Sequence, residues 1–272
     1  MAIKDILVHV DASPAFDPRL HLAIGLARRF DAYVTGVLVL PPIDVLALAD
    51  SGPVVAELAS YLAALGDEAA AAEQRFLMTV RRHGLHGEWR TERDSAAQSL
   101  TRFAQTADLV VLRQRDPRRA VELLYPEDVI LACGRPVLVV PYAGRFDRVG
   151  ETVLVGWNAS REATLALHEG LPLIAASHSV TLLSARARGE DQPLSTAELI
   201  EHLGKHGLHA RMDLIEARDR DIAEAMNAHA ATLGADLIVM GAYGHSRLRE
   251  TILGGTTQAM LQHMTVPTLM VH

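Results

Sequence analysis

Cysteine and aromatic residues are scarce in this sequence. Cys133 is the one cysteine among 272 residues, and Phe, Trp and Tyr together account for 4% of them. A single thiol excludes an internal disulfide framework, which suits a reducing compartment, and Cys133 is expected to be a small buried hydrophobe. The hydrophobic content of 49% is nonetheless ample for one large core or two small ones.

Long apolar runs and an excess of positive charge are missing as well. Charged residues interrupt every apolar stretch before it reaches the roughly 18 residues of a membrane span. The opening segment, MAIKDILVHVD, has no basic part followed by an apolar one, so no signal peptide is predicted. The formal net charge is −7, which disfavours binding to nucleic acid phosphates. We therefore expect a soluble cytoplasmic protein that binds neither membranes nor nucleic acid.

Several catalytic and metal-binding motifs are also lacking. The sequence contains no G-x-x-x-x-G-K-[ST] loop, no G-x-G-x-x-G after a predicted first strand, and no G-x-S-x-G nucleophile elbow. The 13 histidines show no H-E-x-x-H spacing. His202 and His206 share one face of a predicted helix, with His209 a distant third, and we interpret them as a surface pair. No catalytic residue and no metal site is predicted.

The chain repeats three landmarks in the same order, which indicates two copies of one domain. The landmarks are an apolar run ending in Asp/Asn-Ala-Ser, an Ala-Asp-Leu opening of a later strand, and a proline followed by a short apolar run. They occur at 3–13, 107–112 and 135–140, and again at 151–160, 235–240 and 266–271. The glycines and charges of 142–150 suggest a linker, so we divide the chain into residues 1–146 and 147–272.

Each half alternates predicted strands and helices. The near-continuous apolar strands indicate an α/β fold, in which a five-stranded parallel sheet is covered by helices on both faces, a doubly wound domain. Ser160 is expected to cap the helix of 160–175, and Pro172 to kink or shorten it. The predicted strands are 3–9, 34–40, 87–92, 108–112 and 137–140 in the first half, and 152–157, 179–184, 209–216, 236–240 and 266–271 in the second.

A glycine-rich stretch in the second half follows a predicted strand and leads into a predicted helix. Gly241, Gly244 and Gly254 allow backbone N–H groups to approach a ligand closely. The start of the next helix, near Thr256, adds free N–H donors and partial positive charge. Since ligands of open α/β sheets lie beyond the carboxyl ends of the strands, this stretch predicts a phosphate cradle.

The spacing Gly241-x2-Gly244-x9-Gly254 is similar to the nucleotide-binding signature G-x2-G-x9-G-[S/T] of ATP-binding universal stress proteins. The Ala-Asp-Leu lead-in and the closing Val-Pro-Thr-Leu-Met-Val also resemble that family, and the resemblance covers the whole chain twice. It implies a tandem universal stress protein with two Rossmann-like domains of the adenine nucleotide alpha hydrolase type. It further implies a stress-response binding protein that holds ATP or AMP, with or without Mg²⁺, in its second domain.

The resemblance also implies site residues. The family's strand-one aspartate falls on Asn158, which keeps a hydrogen-bonding amide but loses the charge. Gly255 departs from the expected Ser/Thr, although two threonines follow it, and Tyr243 either covers a nucleotide or shields the loop. The implied nucleotide site comprises Asn158, Ser184, Ala185, Met240, Gly241, Tyr243, Gly244, Gly254, Gly255, Thr256 and Thr257.

The first half departs further from the family pattern. It keeps Asp11 in the strand-one position, but 113–119 carries four arginines, Asp116 and Pro117 where glycines would be needed. We predict that this half is a degenerate copy without a nucleotide. Its arginines are interpreted as a solvated basic loop, with anion binding as the alternative.

Alternatives to nucleotide binding remain open at this point. One is a nucleotide-free interaction or scaffold protein, and another is a slow ATPase. Family members generally pair through their last strands, so 137–140 and 266–271 are expected to meet within one chain as a pseudo-dimer. Further dimerisation of the whole chain is left open by the sequence.

Overall fold

The protein was analysed as a computed structural model, which describes residues 2–11, 16–40, 52–118, 124–186, 196–217, 221–244 and 255–272. Strands and helices alternate through both halves, and each predicted strand lies within two residues of its predicted bounds. The first half contains β1 (Asp5–Val10), α1 (Phe16–Phe30), β2 (Tyr33–Leu40), α2 (Gly52–Arg82), β3 (Gly87–Arg93), α3 (Ala96–Ala104), β4 (Leu109–Arg113), α4 (Pro126–Ala132) and β5 (Val137–Val140). The second half contains β6 (Thr152–Gly156), α5 (Arg161–Ile174), β7 (Ser179–Arg186), α6 (Thr196–Lys205), β8 (Ala210–Glu216), α7 (Ile222–Leu233), β9 (Leu237–Gly241), α8 (Gly255–His263) and β10 (Thr268–Val271).

The strands form one ten-stranded sheet with the order β3-β2-β1-β4-β5-β10-β9-β6-β7-β8. Within each half all neighbouring strands are parallel, and the first strand lies between the second and the fourth. The predicted α/β fold, with a doubly wound five-stranded parallel sheet in each half, is therefore confirmed. The register of strand pairing is also the same in the two halves, since Ile6 pairs with Leu109 and the equivalent residue Val153 pairs with Leu237.

The two sheets join through β5 and β10, which pair antiparallel. Leu138 pairs with Leu269, and these residues hold equivalent positions in the two halves. A local two-fold axis therefore passes between them, and the expected intramolecular pairing of the last strands is confirmed. Because the halves run in opposite directions, the carboxyl ends of their parallel strands lie at opposite edges of the sheet. Any two equivalent sites are consequently far apart.

The helices cover both faces of the continuous sheet. Helices α1, α2, α5 and α6 pack on one face, and α3, α4, α7 and α8 on the other. Representative buried side chains are Leu20, Phe76, Leu167 and Leu203 on the first face, and Leu100, Ile130, Met226 and Met260 on the second. Within the described ranges, no helix combines the length and apolar composition needed to cross a membrane.

Helix α5 follows its predicted range of 160–175 closely. The Ser160 hydroxyl accepts a hydrogen bond from the Ala163 N–H at 3.1 Å, which confirms the cap. Of the two effects expected of Pro172, shortening does not occur, since the helix continues to Ile174. Leu173 and Ile174 are fully buried, and the apolar burial that they contribute offsets the missing N–H of the proline.

The repeated Ala-Asp-Leu landmark has a structural explanation. The Asp108 carboxylate accepts hydrogen bonds from the backbone N–H groups of Lys4 and Asp5, at 2.7 and 3.0 Å. In the second half, Asp236 accepts from the equivalent backbone of Glu151 and Thr152, at 3.0 and 3.2 Å. Each aspartate thus holds the start of the first strand of its domain in place. This structural role explains why the landmark occurs in both halves without any role in ligand binding.

Candidate functional site

The candidate site of the second half lies beyond the carboxyl ends of β6 and β9. The chain leaves β6 toward β7 on one side and reaches β9 on the other, so the strand order reverses between β6 and β9. Ligands of open α/β sheets bind in the crevice at this reversal point. Asn158 follows β6 and Gly241 ends β9, and the first turns of α5 and α8 begin at the same edge. Both helix starts direct partial positive charge toward this edge.

The turn after β6 is organised by Asn158. Its side-chain oxygen accepts a hydrogen bond from the Ser160 N–H at 3.2 Å, and Ala159 adopts a left-handed backbone with φ of 57°. Asn158 itself is exposed to solvent. The amide oxygen therefore supports the turn locally, which leaves the amide N–H₂ group as the donor that this residue offers to a ligand.

Gly241 and Gly244 lie against the first turn of α5. A methyl group added at Gly241 would lie 2.5 Å from the backbone carbon of Glu162 and 2.6 Å from the Ala163 nitrogen. One added at Gly244 would lie 2.8 Å from the Glu162 carboxylate oxygen Oε2. No real side chain tolerates the first approach without a backbone shift. Gly241 is thus required by helix packing whether or not a ligand is present.

Met240, Tyr243 and Thr257 are buried between the end of β9 and the start of α8. All three side chains are buried, and the Tyr243 N–H donates to the Thr257 hydroxyl at 3.1 Å. Burial raises the pKa of Tyr243 to about 12, and the negative charges of Glu127 and Asp128 add to this rise. Tyr243 is therefore buried and neutral, and its backbone is left-handed with φ of 57°.

The remaining predicted site residues differ in accessibility. Ser184 and Ala185 lie near the end of β7, where Ser184 is buried and Ala185 half-buried. Gly255 is exposed at the start of α8, followed by Thr256 in the same turn. Gly254 lies outside the described residues. The structure therefore brings together the Asn158 turn, Gly241, Gly244 and the start of α8, and places Ser184 within the neighbouring strand.

The equivalent region of the first half contains a buried ion-pair cluster. Arg113 occupies the position of Gly241, as the last residue of its strand, and its Nε donates to Asp11 Oδ2 at 2.6 Å. Arg19 Nη2 lies 3.3 Å from Asp11 Oδ1. The side chains of Arg19, Arg113 and Asp11 are 0%, 5% and 15% exposed. The retained aspartate is therefore bound by arginines of its own chain.

The interpretation of the four arginines as a solvated loop is wrong for Arg113 and holds for two others. Arg115 is exposed and stacks over the Tyr125 ring at 5.0 Å. Arg118 is exposed and forms a two-point ion pair with Asp116, at 2.9 and 3.0 Å. Arg119 lies outside the described residues. The sequence analysis predicted neither the ion pair of Arg113 with Asp11 nor that of Arg19 with Asp11. The alignment of Arg113 with Gly241 could have indicated that Arg113 lies near Asp11.

His202 on α6 and His206, which directly follows α6, have a third neighbour that the sequence did not indicate. The ring of His168, on α5, lies 5.4 Å from that of His202, which lies 4.8 Å from that of His206. His209 is not part of this stack as described. Within the described ranges, no three His, Cys, Asp or Glu side chains are grouped so that they could hold a metal ion.

The histidine stack predicts an acid-sensitive stability. Desolvation, followed by the charges of His206, His168 and Lys205, lowers the pKa of His202 below its ordinary 6.5. The unfolded chain therefore takes up this proton first as the pH falls, so stability should decrease below about pH 6.5. Thermal unfolding at pH 7.5 and 5.5 should show a smaller acid-induced decrease for His202→Gln than for the wild type. The exposed His209→Gln is the control, and equal decreases in all three proteins would contradict the prediction.

Comparison with known proteins matches both halves of the chain to one family. The sequence model of the universal stress protein family matches residues 2–141 and again residues 151–272. A curated relative, universal stress protein Slr1230 of Synechocystis, is 29% identical over 149 residues, which are 53% of this chain and 49% of the relative. The chain thus spans about half the length of that curated relative.

Several solved structures match nearly the whole chain. A universal stress protein from Archaeoglobus fulgidus superposes with a TM-score of 0.74 and 15% identity, covering 98% of this chain and 95% of that one. A Pseudomonas aeruginosa protein of unknown function superposes with a TM-score of 0.61 and 16% identity, covering 99% and 92%. At these identities the likeness establishes the fold alone.

Proposed function

The chain belongs to the universal stress protein family, and on that premise we propose that its second domain holds an adenine nucleotide. The nucleotide is ATP or AMP, with or without Mg²⁺, and the domain comprises residues 147–272. The observation that carries the proposal is the convergence of the Asn158 turn, Gly241, Gly244 and the start of α8 at the strand-order reversal. The protein would then act as a cytoplasmic stress-response binding protein rather than as an enzyme.

The chemistry of this edge suits a phosphorylated ligand. The two helix starts offer backbone N–H donors to a phosphate group. The close packing of α5 against Gly241 sets the start of that helix at this edge of the sheet. The Asn158 amide N–H₂ supplies a neutral donor where family members place a carboxylate. With Gly255 in place of a hydroxyl-bearing residue, one hydrogen bond to phosphate is lost, so the affinity should be modest.

The first domain, residues 1–146, is proposed to hold no nucleotide. Arg113 fills the position where the second domain has Gly241, and Arg19 and Arg113 already neutralise Asp11. A nucleotide would have to displace two buried guanidinium groups from their carboxylate, which is unfavourable. The proposal therefore requires one nucleotide per chain.

A nucleotide-free interaction protein is the second candidate function. It is favoured by the packing of the Glu162 and Ala163 backbone against Gly241, since that packing explains this glycine without a ligand. A slow ATPase is the third candidate, in which hydrolysis is incidental to binding.

The first experiment separates these candidates. The freshly purified protein is denatured, and any released nucleotide is identified and quantified by mass spectrometry. One adenine nucleotide per chain is the result that the proposal requires. Protein that is empty and also fails to bind added ATP or AMP in calorimetry would overturn it in favour of the interaction protein. Steady ATP hydrolysis that disappears with substitutions in the loop would favour the ATPase.

The variant Gly244→Asp should weaken nucleotide binding at least tenfold. The added carboxylate lies beside that of Glu162 and repels phosphate across the crevice, at a cost of roughly 1.4 kcal/mol or more. Calorimetric titration with ATP and AMP measures the loss, and the thermal midpoint verifies folding. Gly66→Asp is the matched control, because it adds the same charge on α2 where no atom lies within 4 Å. Unchanged affinity in folded Gly244→Asp would rule out this site.

A further inference from the structure

Glu162 brings a carboxylate to the candidate phosphate loop. It is the second residue of α5, and its side chain is 16% exposed. Its Oε2 would lie 2.8 Å from a methyl group at Gly244, and its backbone is the closest neighbour of Gly241. One residue thus touches both described glycines of the signature, and it directs negative charge at the second of them.

The charge of this carboxylate is weakly compensated by its neighbour. Arg161 Nη1 lies 3.6 Å from Glu162 Oε1, but the Arg161 side chain is 73% exposed. Solvent and salt therefore screen the attraction between these two groups. A phosphate chain entering the crevice would meet the Glu162 carboxylate at short range, where the effective dielectric constant is lower than in water.

We propose that Glu162 is a specificity-determining residue that disfavours long phosphate chains, so that the site prefers a nucleoside monophosphate to a nucleoside triphosphate. The inference rests on the proposed nucleotide function and deepens it by selecting between the two nucleotides. ATP carries two more phosphate groups than AMP, and each added negative charge near a fixed carboxylate reduces affinity. The helix starts attract the first phosphate group, and Glu162 repels the groups that extend past it.

Ionic conditions should change this preference in a defined way. Added salt screens the repulsion and should narrow the difference between AMP and ATP. A divalent cation neutralises part of the phosphate chain, so Mg²⁺ should raise the affinity of the wild type for ATP more than for AMP.

The test compares wild type, Glu162→Gln and Glu162→Ala by calorimetric titration with AMP and ATP at low salt without divalent cations. Both variants should bind ATP about tenfold more tightly than the wild type, whereas affinity for AMP should change less than about threefold. Glu169→Gln is the matched control, since it removes an exposed carboxylate from the same helix about two turns away. It should leave the ratio of the two affinities unchanged.

Each outcome has a separate meaning. Equal changes in AMP and ATP affinity, or weaker binding of Mg²⁺-ATP by Glu162→Gln, would overturn the specificity role and leave the nucleotide site intact. The second of these results would identify Glu162 as a cation ligand instead. Absence of binding of both nucleotides to wild type and variants would overturn the proposed function together with this inference.

Discussion

Replacing Asp11 by alanine is expected to destabilise the protein by about 3–5 kcal/mol, because two buried arginines lose the carboxylate that they share. Arg113 Nε lies 2.6 Å from Asp11 Oδ2, and Arg19, with a fully buried side chain, lies 3.3 Å from Oδ1. Removing one partner of a buried ion pair leaves charge in a medium that solvates it poorly. The cluster also joins β1, α1 and β4, so its loss should loosen the first half of the fold.

Urea unfolding followed by circular dichroism measures this effect. Asp147→Ala is the matched control, because it also removes a carboxylate bound by an arginine, in an exposed pair of 65% and 78% accessibility. That substitution should cost less than about 1 kcal/mol. Asp11→Asn should fall between the two, since it keeps the shape and one acceptor of the side chain. A cost of Asp11→Ala similar to that of the control would show that Arg19 and Arg113 are held by other contacts.

Replacing Gly150 by alanine is the second substitution with a large expected effect, about 2–4 kcal/mol. Gly150 has φ of 89°, which strains any L side chain, and an added methyl group would collide with the carbonyl oxygen of Leu173. That oxygen accepts a hydrogen bond from Arg29 at 2.9 Å, and Arg29 also donates to Val149. The substitution therefore disturbs a contact between α1 of the first half and α5 of the second.

The variant Gly84→Ala measures the cost of backbone strain without a steric collision of the added methyl group. Gly84 has a comparable φ of 68°, but no atom lies within 4 Å of the added methyl group. Gly84→Ala should lower the free energy of unfolding by roughly 1 kcal/mol, which is the contribution of backbone strain alone. The midpoints and slopes of urea unfolding for both variants provide the comparison. If Gly150→Ala costs no more than Gly84→Ala, the backbone near the junction accommodates the methyl group and the collision argument fails.

The sequence predicted the architecture accurately because strand patterns are local. A buried parallel strand is a short apolar run between turn residues, which describes eight of the ten strands. The two strands at the ends of the sheet, β3 and β8, are charged and partly exposed, and both were also predicted. The repeat predicted that the halves share one topology, and family resemblance predicted the pairing of β5 with β10. Pro172 does not shorten α5, because the burial of Leu173 and Ile174 outweighs the local helix rule.

The candidate site was predicted less completely than the fold. Gly241 and Gly244 lie at and just after the end of β9, and Asn158 follows β6, as the sequence predicted. The sequence could not predict that Glu162 lies against Gly244, that Tyr243 is buried, or that His168 lies beside His202. These contacts depend on how α5 is set against β9 and α6, which no periodicity in one element specifies.

The element order, the tandem repeat and the family could all be predicted from the chain alone, since local patterns and their spacing record them. Which side chains neutralise one another depends on how the chain folds. Asp11 and Arg113 are 102 residues apart, and they meet because β1 and β4 are neighbours in the sheet. In the second half, Glu162 lies against Gly241 and Gly244 because α5, which starts after β6, packs across the end of β9. The difference between the two halves therefore follows from a few substitutions whose effects depend on contacts between distant parts of the chain.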